Sequence, residues 1–232
     1  MDKKDIRSYT LDELKKEIES IGEKAFRAKQ VYEWLHVKLV DSFEEMTNLS
    51  KSLREKLEAQ YEIPTVSMLE RQISKQDGTN KFLFRLQDGH VVESVLMKYK
   101  YGYSACVSTQ VGCKMGCTFC ASTKAGFVRN LSSGEILGQI VSMNADMNIR
   151  IGHVVLMGIG EPLDNYDNVL DFLRKAQNEK GLGISYRNIS LSTCGLAEKV
   201  IQLSEEKLPI TLSISLHSPF DSQRSEMMPV NR

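Results

Sequence analysis

The chain has 232 residues, of which 41% are hydrophobic and 26% charged, and its basic and acidic residues balance at a formal net charge of zero. This composition is ordinary for a soluble globular protein of one large or two small domains. No apolar run reaches the about 20 residues of a membrane-spanning helix, so no membrane partner is expected. Because the net charge is zero, a nucleic-acid partner would have to be met by a local basic patch.

The first sixty residues predict three helices. Thr10 can cap a helix that begins at Leu11, because Glu13 stands at the third helical position and completes a capping box. Apolar residues at broadly helical spacing predict a second helix from Phe26 to Leu39 and a third from about Ser50 to Ala59. This segment is interpreted as a helical module, which serves either for packing alone or for docking a substrate.

The pattern then changes to short β-like stretches, from Val66 to Ile73, Lys81 to Leu86 and Val91 to Met97. The dipeptides Asp77-Gly78 and Asp88-Gly89 are strong turn signals between them. The sequence therefore predicts a small antiparallel meander.

From residue 105 onward, predicted strands alternate with predicted helices. The strands are Ala105–Thr109, His153–Met157, Asn188–Leu191 and Ile210–Leu216, and the helices are Ser132–Met147, Tyr166–Glu179, Leu196–Glu205 and one near Pro219. Such repetition predicts an α/β fold with a parallel sheet, in which functional groups collect at the carboxyl ends of the strands. We divide the chain into a helical module (1–62), a β meander or linker (63–98) and a βα core of about four units (99–232).

Three cysteines lie close together in the run GCKMGCTFC at 112–120. Cys113, Cys117 and Cys120 have the spacing C-x3-C-x2-C. An iron–sulfur cube takes four ligands, so three local thiolates would leave one iron open to a small molecule. A zinc site is the alternative, with Cys106 as a fourth ligand. The odd number of cysteines does not favour a disulfide framework, and reduced, clustered cysteines fit the cytoplasm.

Polar side chains follow the predicted strands at the same edge of the sheet. The segment GIGEP at 158–162 offers close backbone approach and the carboxylate of Glu161 for a cationic amine. LST at 191–193 and SLH at 215–217 offer hydroxyls and an imidazole for a ribose or a carboxylate. Each feature taken singly could be local turn capping, but together they predict a ligand pocket.

A basic stretch with interleaved aromatic residues lies around the cysteines. No acidic residue occurs between Glu93 and Glu135. The cations there are Lys98, Lys100, Lys114, Lys124 and Arg129, and the nearby tyrosines are Tyr99, Tyr101 and Tyr103. Cations and aromatic faces are typical of single-stranded RNA binding, and a solvated loop is the alternative.

Taken together, these motifs resemble the RlmN family of radical S-adenosylmethionine (SAM) RNA adenine methyltransferases. The resemblance rests on FRAKQ at 26–30, MTNL at 46–49, QVGC at 110–113, GIGEP, SLH and MPVNR at 228–232. It implies a partial radical SAM (βα) barrel with a 4Fe-4S cluster on Cys113, Cys117 and Cys120. It implies SAM contacts at Gly160, Glu161, Ser192, Ser215, Leu216 and His217, and catalytic roles for Glu93 and Cys106, with the proton acceptor left open between the two.

The resemblance also implies an activity and partners. The expected reaction forms 2-methyladenosine in 23S rRNA, at the peptidyl transferase centre, and in tRNA, next to the anticodon, through a methyl-cysteine and a 5′-deoxyadenosyl radical. The expected electron donor is a flavodoxin and its reductase, and the expected state is a cytoplasmic monomer.

One departure from the family concerns the cysteine that carries the methyl group. In the family it lies beyond the equivalent of Arg232, and no cysteine here follows Cys194. Since about four βα units are present where the family has six, we expect the chain to be C-terminally incomplete. The alternatives are the relative that methylates carbon 8 of adenine, a catalytically incomplete RNA-binding fragment, and a zinc-stabilised binding protein.

Overall fold

The computed structural model describes residues 3–38, 40–179 and 181–231. The N-terminal part contains three α-helices and a short parallel ladder. In chain order the elements are β1 (Lys4–Asp5), α1 (Leu11–Ser20), α2 (Phe26–His36), α3 (Lys51–Gln60) and β2 (Tyr61–Glu62), and β1 pairs with β2. Side chains from all three helices form one buried core, which includes Leu14, Ile18, Val31, Leu35 and Leu53.

The predicted start of α1 is confirmed, because Thr10 and Glu13 form both hydrogen bonds of the capping box. The predicted end of α2 is wrong. The helix ends at His36, where the N–H groups of Val37 and Lys38 both donate to the carbonyl of Glu33 and turn the chain. Leu39, the predicted last residue, lies outside the described residues.

The meander prediction is confirmed. Its strands are β3 (Ser67–Ile73), β4 (Asn80–Arg85) and β5 (Val91–Tyr99), and they pair antiparallel in that order. Gly78 and Gly89 have positive φ angles of 71° and 86°, which the two tight turns require.

The remaining chain alternates strands and helices as the sequence predicts. The strands are β6 (Gly102–Cys106), β7 (Gln110–Gly112), β8 (Phe127–Asn130), β9 (Ile151–Leu156), β10 (Ile189–Thr193) and β11 (Thr211–Ile214). The helices are α4 (Ser133–Met147), α5 (Tyr166–Gln177), α6 (Ala197–Glu205) and α7 (Asp221–Met227). The first core strand lies about three residues earlier than predicted, although the chain after Cys106 is still hydrogen-bonded to β9, with the N–H of Val107 donating to the Val155 carbonyl at 3.1 Å.

One mixed sheet of seven strands joins the meander to the βα core, in the order β11-β10-β9-β6-β5-β4-β3. Strands β6, β9, β10 and β11 are parallel to each other, and β5 pairs antiparallel with β6. Phe82 and Phe84 of the meander belong to the same buried cluster as Ile136 and Ile140 of α4. The predicted segments 63–98 and 99–232 thus share a sheet and a hydrophobic core, whereas the helical module has a core of its own.

Buried polar contacts attach the helical module to the N-terminus of α4. The Asp5 carboxylate accepts a hydrogen bond of 2.8 Å from Ser132 Oγ, and Lys175 Nζ donates to the carbonyl of Ser8 and, at 2.9 Å, to Ser133 Oγ. These contacts place the module next to the segment that follows the cysteine loop. None of the helices in the described part of the chain has the length and apolar character that a bilayer crossing requires.

Candidate cluster and SAM site

A small β-hairpin carries the cysteine loop. Strands β7 and β8 pair antiparallel, and the N–H of Cys113 donates to the carbonyl of Gly126 at 3.1 Å. Gly112 has φ +73°, and a Cβ at this position would lie 1.8 Å from the Gly126 oxygen. The sequence predicted only a loop here, because strands of three and four residues leave too short a pattern to detect.

The three cysteines of the motif line one cavity of about 210 Å³. Cys113 and Cys117 are each 8% exposed, and Cys120 is half-buried. Burial raises the pKa of Cys113 and of Cys117, and the neighbouring thiols of the motif add to both rises. Within the described ranges, no three His, Cys, Asp or Glu side chains are arranged to hold a single metal ion. A polynuclear cluster is held by one thiolate per iron atom, so its ligands need not meet at one point.

Glu161 lies on the wall of this cavity, where it is 4% exposed. Its Oε1 accepts the N–H of Leu163 at 3.0 Å and its Oε2 accepts the N–H of Cys194 at 2.8 Å. A carboxylate has about four acceptor positions, so these two bonds do not use all of them and a ligand amine can still be accepted. The backbone thus holds Glu161 in place before any ligand binds.

The two glycines before Glu161 serve the packing of the protein itself. A Cβ on Gly158 would lie 2.6 Å from the Val107 carbonyl oxygen, and one on Gly160 would lie 2.6 Å from Gln110 Cβ. On the side where a Cβ would stand, the chain from Val107 to Gln110 fills the space, so close backbone approach to a ligand stays a prediction for the other side. Gly160 still borders the cavity.

The ends of β10 and β11 complete the opposite wall. Ser192 Oγ lies 3.3 Å from Ser215 Oγ, and both serines line the cavity. His217 lines it as well; its backbone is left-handed at φ +58°, and its ring centroid lies 4.5 Å from that of Phe119. Leu216 is not among the lining residues, and its side chain is 53% exposed.

The cavity therefore brings together eight of the eleven predicted site residues. They are Cys113, Cys117, Cys120, Gly160, Glu161, Ser192, Ser215 and His217. Leu216, Glu93 and Cys106 lie outside its lining.

Glu93 and Cys106 lie near each other on one face of the sheet. The register pairs Val95 with Cys106, so Glu93 is two residues from the partner of Cys106 and on the same face. Glu93 Oε1 forms an ion pair of 2.6 Å with Lys81 Nζ. Burial raises the pKa of the Cys106 thiol, which therefore stays protonated at neutral pH.

Sequence reasoning gave no role to Gln110, which holds the site together. This fully buried side chain accepts the N–H of Glu161 at 2.9 Å and donates at 2.8 Å to both Asn130 and Asp164. Its signals in the sequence are its place in the QVGC motif at 110–113 and its polar character three positions before the first cysteine.

The basic stretch is partly neutralised in the folded chain. Lys114 pairs with Asp164 at 2.9 Å, and Arg129 pairs with both Asp88 and Glu135. The expectation of five available cations is thus corrected to three. Lys98, Lys100 and Lys124 have no ion-pair partner among the described residues.

The tyrosines of this stretch lie away from the cysteines. Tyr99 and Tyr101 stack with ring centroids 5.0 Å apart in the turn between β5 and β6. Because β6 runs from this turn to Cys106, the tyrosines are at the opposite end of the strand from the side that leads to the cluster loop.

The C-terminal segment closes over the cysteine loop. The N–H of Thr118 donates to the carbonyl of Met227 at 2.9 Å, and the buried Met228 packs in one cluster with Cys117 and Cys194. Cys194 is 7% exposed and borders the same cavity.

Comparison with known proteins identifies this arrangement. Residues 107–231, more than half of the chain, match the family model described as the radical SAM superfamily. The chain belongs to the radical SAM superfamily. Residues 4–63 match the model described as the ribosomal RNA large subunit methyltransferase N-terminal domain, RlmN_N. The radical SAM match thus begins between β6 and the cysteine motif, and the RlmN_N match covers nearly all of the helical module.

Relatives that match nearly all of this chain agree with this membership. The chain is 56% identical over 229 residues to a probable dual-specificity RNA methyltransferase RlmN of Lachnoclostridium phytofermentans, covering 99% of this chain and 64% of that protein. It is 49% identical to the Bacillus subtilis protein of the same name, covering 98% of this chain and 63% of that protein. The predicted RlmN family is confirmed, and the chain spans about two thirds of the length of these relatives.

A solved structure shows the same fold. The crystal structure of a radical SAM methyltransferase from Sphaerobacter thermophilus superimposes with a TM-score of 0.90 at 35% identity. The match covers 99% of this chain and 68% of that one. The predicted fold class, a radical SAM α/β core preceded by a helical part, is confirmed.

Proposed function

We propose that this chain carries the cluster and SAM sites of a radical SAM methyltransferase that forms 2-methyladenosine in 23S rRNA and in tRNA. One observation carries the proposal: the three cysteines of the motif and the three strand-end segments around Glu161, Ser192 and Ser215 line the same cavity. The names of the relatives support the RNA substrates and the dual specificity.

The residues of the cavity fit a 4Fe-4S cluster with bound SAM. Three thiols on one loop, without a fourth cysteine in the motif, match a cluster that leaves one iron open for the amino acid part of SAM. When bound and reduced, the cluster supplies the electron for reductive cleavage of SAM. Glu161 is suited to bind the amine, since its carboxylate is held rigidly by the N–H groups of Leu163 and Cys194.

The other walls of the cavity would orient the rest of SAM. Ser192 and Ser215 present hydroxyls 3.3 Å apart, a spacing that suits adjacent oxygens of a ribose or a carboxylate. His217 and Phe119 form an exposed aromatic border at the mouth. Leu216, which is exposed beside them, would contribute backbone contacts instead of lining the cavity.

Between the two candidates for the proton acceptor, the chemistry favours Glu93. Burial raises the pKa of the Cys106 thiol, so it is protonated at neutral pH and lacks the negative charge that makes a thiolate a base. Glu93 is a carboxylate paired with Lys81, on the same face of the sheet. Cys106 would then take part as a neutral thiol and not as the proton acceptor.

The partners follow from family membership and from the surface. The RlmN_N match of the helical module and the unpaired Lys98 and Lys100 support RNA docking. A cytoplasmic monomer that receives electrons from a flavodoxin and its reductase is part of the proposal and rests on the family alone.

The test is anaerobic reconstitution with iron and sulfide, followed by SAM and dithionite, with 5′-deoxyadenosine as the product assayed. We expect a cluster absorbance in the wild-type chain and its loss in Cys117→Ala. Cys194→Ala is the matched control, because Cys194 borders the same cavity but stands outside the motif. A cluster that survives in Cys117→Ala, or iron uptake without sulfide, contradicts the proposal.

A further inference from the structure

Arg224 is a buried cation beside the cluster cavity. It lies in α7 and is 9% exposed. Its Nη2 donates to the Cys194 carbonyl at 2.6 Å, and its Nη1 donates to Asn231 Oδ1. Both acceptors are neutral. None of the ion pairs in the described part of the chain includes Arg224.

The guanidinium is hydrogen-bonded to a residue that packs against the cysteines of the motif. Its acceptor, Cys194, packs in a buried cluster with Cys117 and Met228, and Cys120 packs against that cluster. Cys194 also borders the cavity that the three cysteines line, so one residue lies between Arg224 and the site of the sulfur ligands.

Glu161 is a charged group that bonds to the same residue as Arg224. Its Oε2 accepts the N–H of Cys194, while the carbonyl of Cys194 accepts from Arg224. The backbone of Cys194 thus lies between the two side chains and is hydrogen-bonded to both. Glu161 is also oriented toward the cavity, where the proposed function assigns it to the SAM amine.

A buried charge is unfavourable unless an opposite charge lies close by. Arg224 has no carboxylate in direct contact, but three thiols of the cavity become thiolates when they bind iron. A thiolate-ligated cluster would be an anionic group in the cavity that Cys194 borders. The missing counter-charge of Arg224 would be supplied by the loaded site.

We propose that Arg224 is the fixed counter-cation of the iron–sulfur cluster and raises its reduction potential. The inference rests on the proposed function, since it requires a cluster on Cys113, Cys117 and Cys120. Reduction moves one electron from an external low-potential reductant to the cluster, whose charge becomes more negative by one unit. A fixed cation stabilises the reduced form more than the oxidised form, and net charge is one of the factors that set cluster potentials.

The experiment compares two substitutions that both remove the guanidinium. Arg224→Lys keeps the positive charge, and Arg224→Gln removes it while keeping a hydrogen-bond donor. The full chain is reconstituted anaerobically, and the midpoint potential is measured by titration with dithionite and mediators, followed by electron paramagnetic resonance. We expect Arg224→Gln to shift the reduction equilibrium at least tenfold toward the oxidised form, which is about 59 mV for one electron.

Arg224→Lys should stay much closer to the wild-type potential. Arg187→Gln is the matched control, because it removes the same net charge from an exposed position and should leave the potential unchanged. Thermal unfolding of the cluster-free variants is a second readout. Without a cluster the cation lacks its counter-charge, so Arg224→Gln should lower the melting temperature less in the cluster-free chain than in the loaded one.

Each of the remaining outcomes either supports or overturns the inference. Equal shifts in both Arg224 variants would assign the effect to the hydrogen bonds with Cys194 and Asn231, and an unchanged potential in Arg224→Gln would remove the electrostatic role; both overturn it. Loading in Arg224→Lys but not in Arg224→Gln supports it, and loading in neither overturns it. A wild-type chain that takes up no cluster overturns the proposed function together with the inference.

Discussion

The carboxylate of Glu161 accepts the backbone N–H of Cys194 at 2.8 Å, although 33 positions separate the two residues in the chain. Glu161 follows β9 and Cys194 follows β10, so this bond joins the ends of two neighbouring parallel strands. The side chain that the proposed function assigns to SAM is therefore also a structural support of the cavity.

Replacement of Glu161 should separate these two roles. Glu161→Ala leaves the N–H groups of Leu163 and Cys194 without an acceptor, which costs about 1–3 kcal/mol for each buried group. Glu161→Gln keeps one acceptor oxygen and should cost about half as much stability, yet lose most of the SAM affinity because the negative charge is gone. Urea unfolding of the cluster-free chain and calorimetry of SAM binding to the loaded chain measure the two effects. An Ala variant as stable as wild type would contradict this account.

The glycines of the cysteine hairpin should differ in their sensitivity to substitution. Gly112 and Gly126 have nearly equal positive φ angles, +73° and +74°, so alanine is strained at either position by about 1–2 kcal/mol. Only at Gly112 would the added Cβ also collide with a carbonyl oxygen, that of Gly126. We expect Gly126→Ala to load a cluster at reduced stability and Gly112→Ala to lose loading. Iron and sulfide content after reconstitution checks this, and equal loading of the two variants would refute it.

His36 should make stability depend on pH. Burial in the helical module, helped by the positive charges of Arg7 and Lys175, lowers the pKa of His36 from 6.5 to about 3. Between these values the unfolded chain binds a proton that the folded chain does not. Stability therefore rises with pH in this window, by up to about 1.4 kcal/mol per pH unit, and the contribution is complete above pH 6.5.

The measurement for His36 is the free energy of unfolding in urea at several pH values between 4 and 8. His36→Phe keeps a ring next to Tyr32. In this variant the slope of the unfolding free energy against pH, below pH 6.5, should fall by an amount that corresponds to at most one bound proton. His90→Gln changes a half-exposed histidine and should leave most of the slope in place. A His36→Phe variant with the wild-type slope would show that other groups cause it.

Strand β11 should promote association of the chain. It pairs with β10 on one side, and in the described part of the chain its other edge has no partner strand. Ile214 on this strand is 49% exposed. Unpaired strand edges with apolar side chains pair with other chains, and lysine on such an edge prevents this. We expect light scattering to rise with concentration and to fall in Ile214→Lys, while Ile201→Lys, on an exposed face of α6, has little effect.

The sequence by itself determined the local features of this protein. The capping box of Thr10 and Glu13, the Asp-Gly turns of the meander and the βα alternation depend on residues only a few positions apart. All three are present, with the first core strand displaced by about three residues. The C-x3-C-x2-C spacing is local in the same sense, and the three cysteines do line one cavity.

Only the tertiary structure decided which distant residues meet. The pairing of Lys114 with Asp164 and of Arg129 with Asp88 removes two cations from the predicted RNA-binding stretch. The contacts of Gln110 with Glu161 and of Arg224 with Cys194 likewise join residues 51 and 30 positions apart. Such contacts depend on sheet order, register and helix packing, which bring remote segments together; neither local propensity nor motif spacing contains that information.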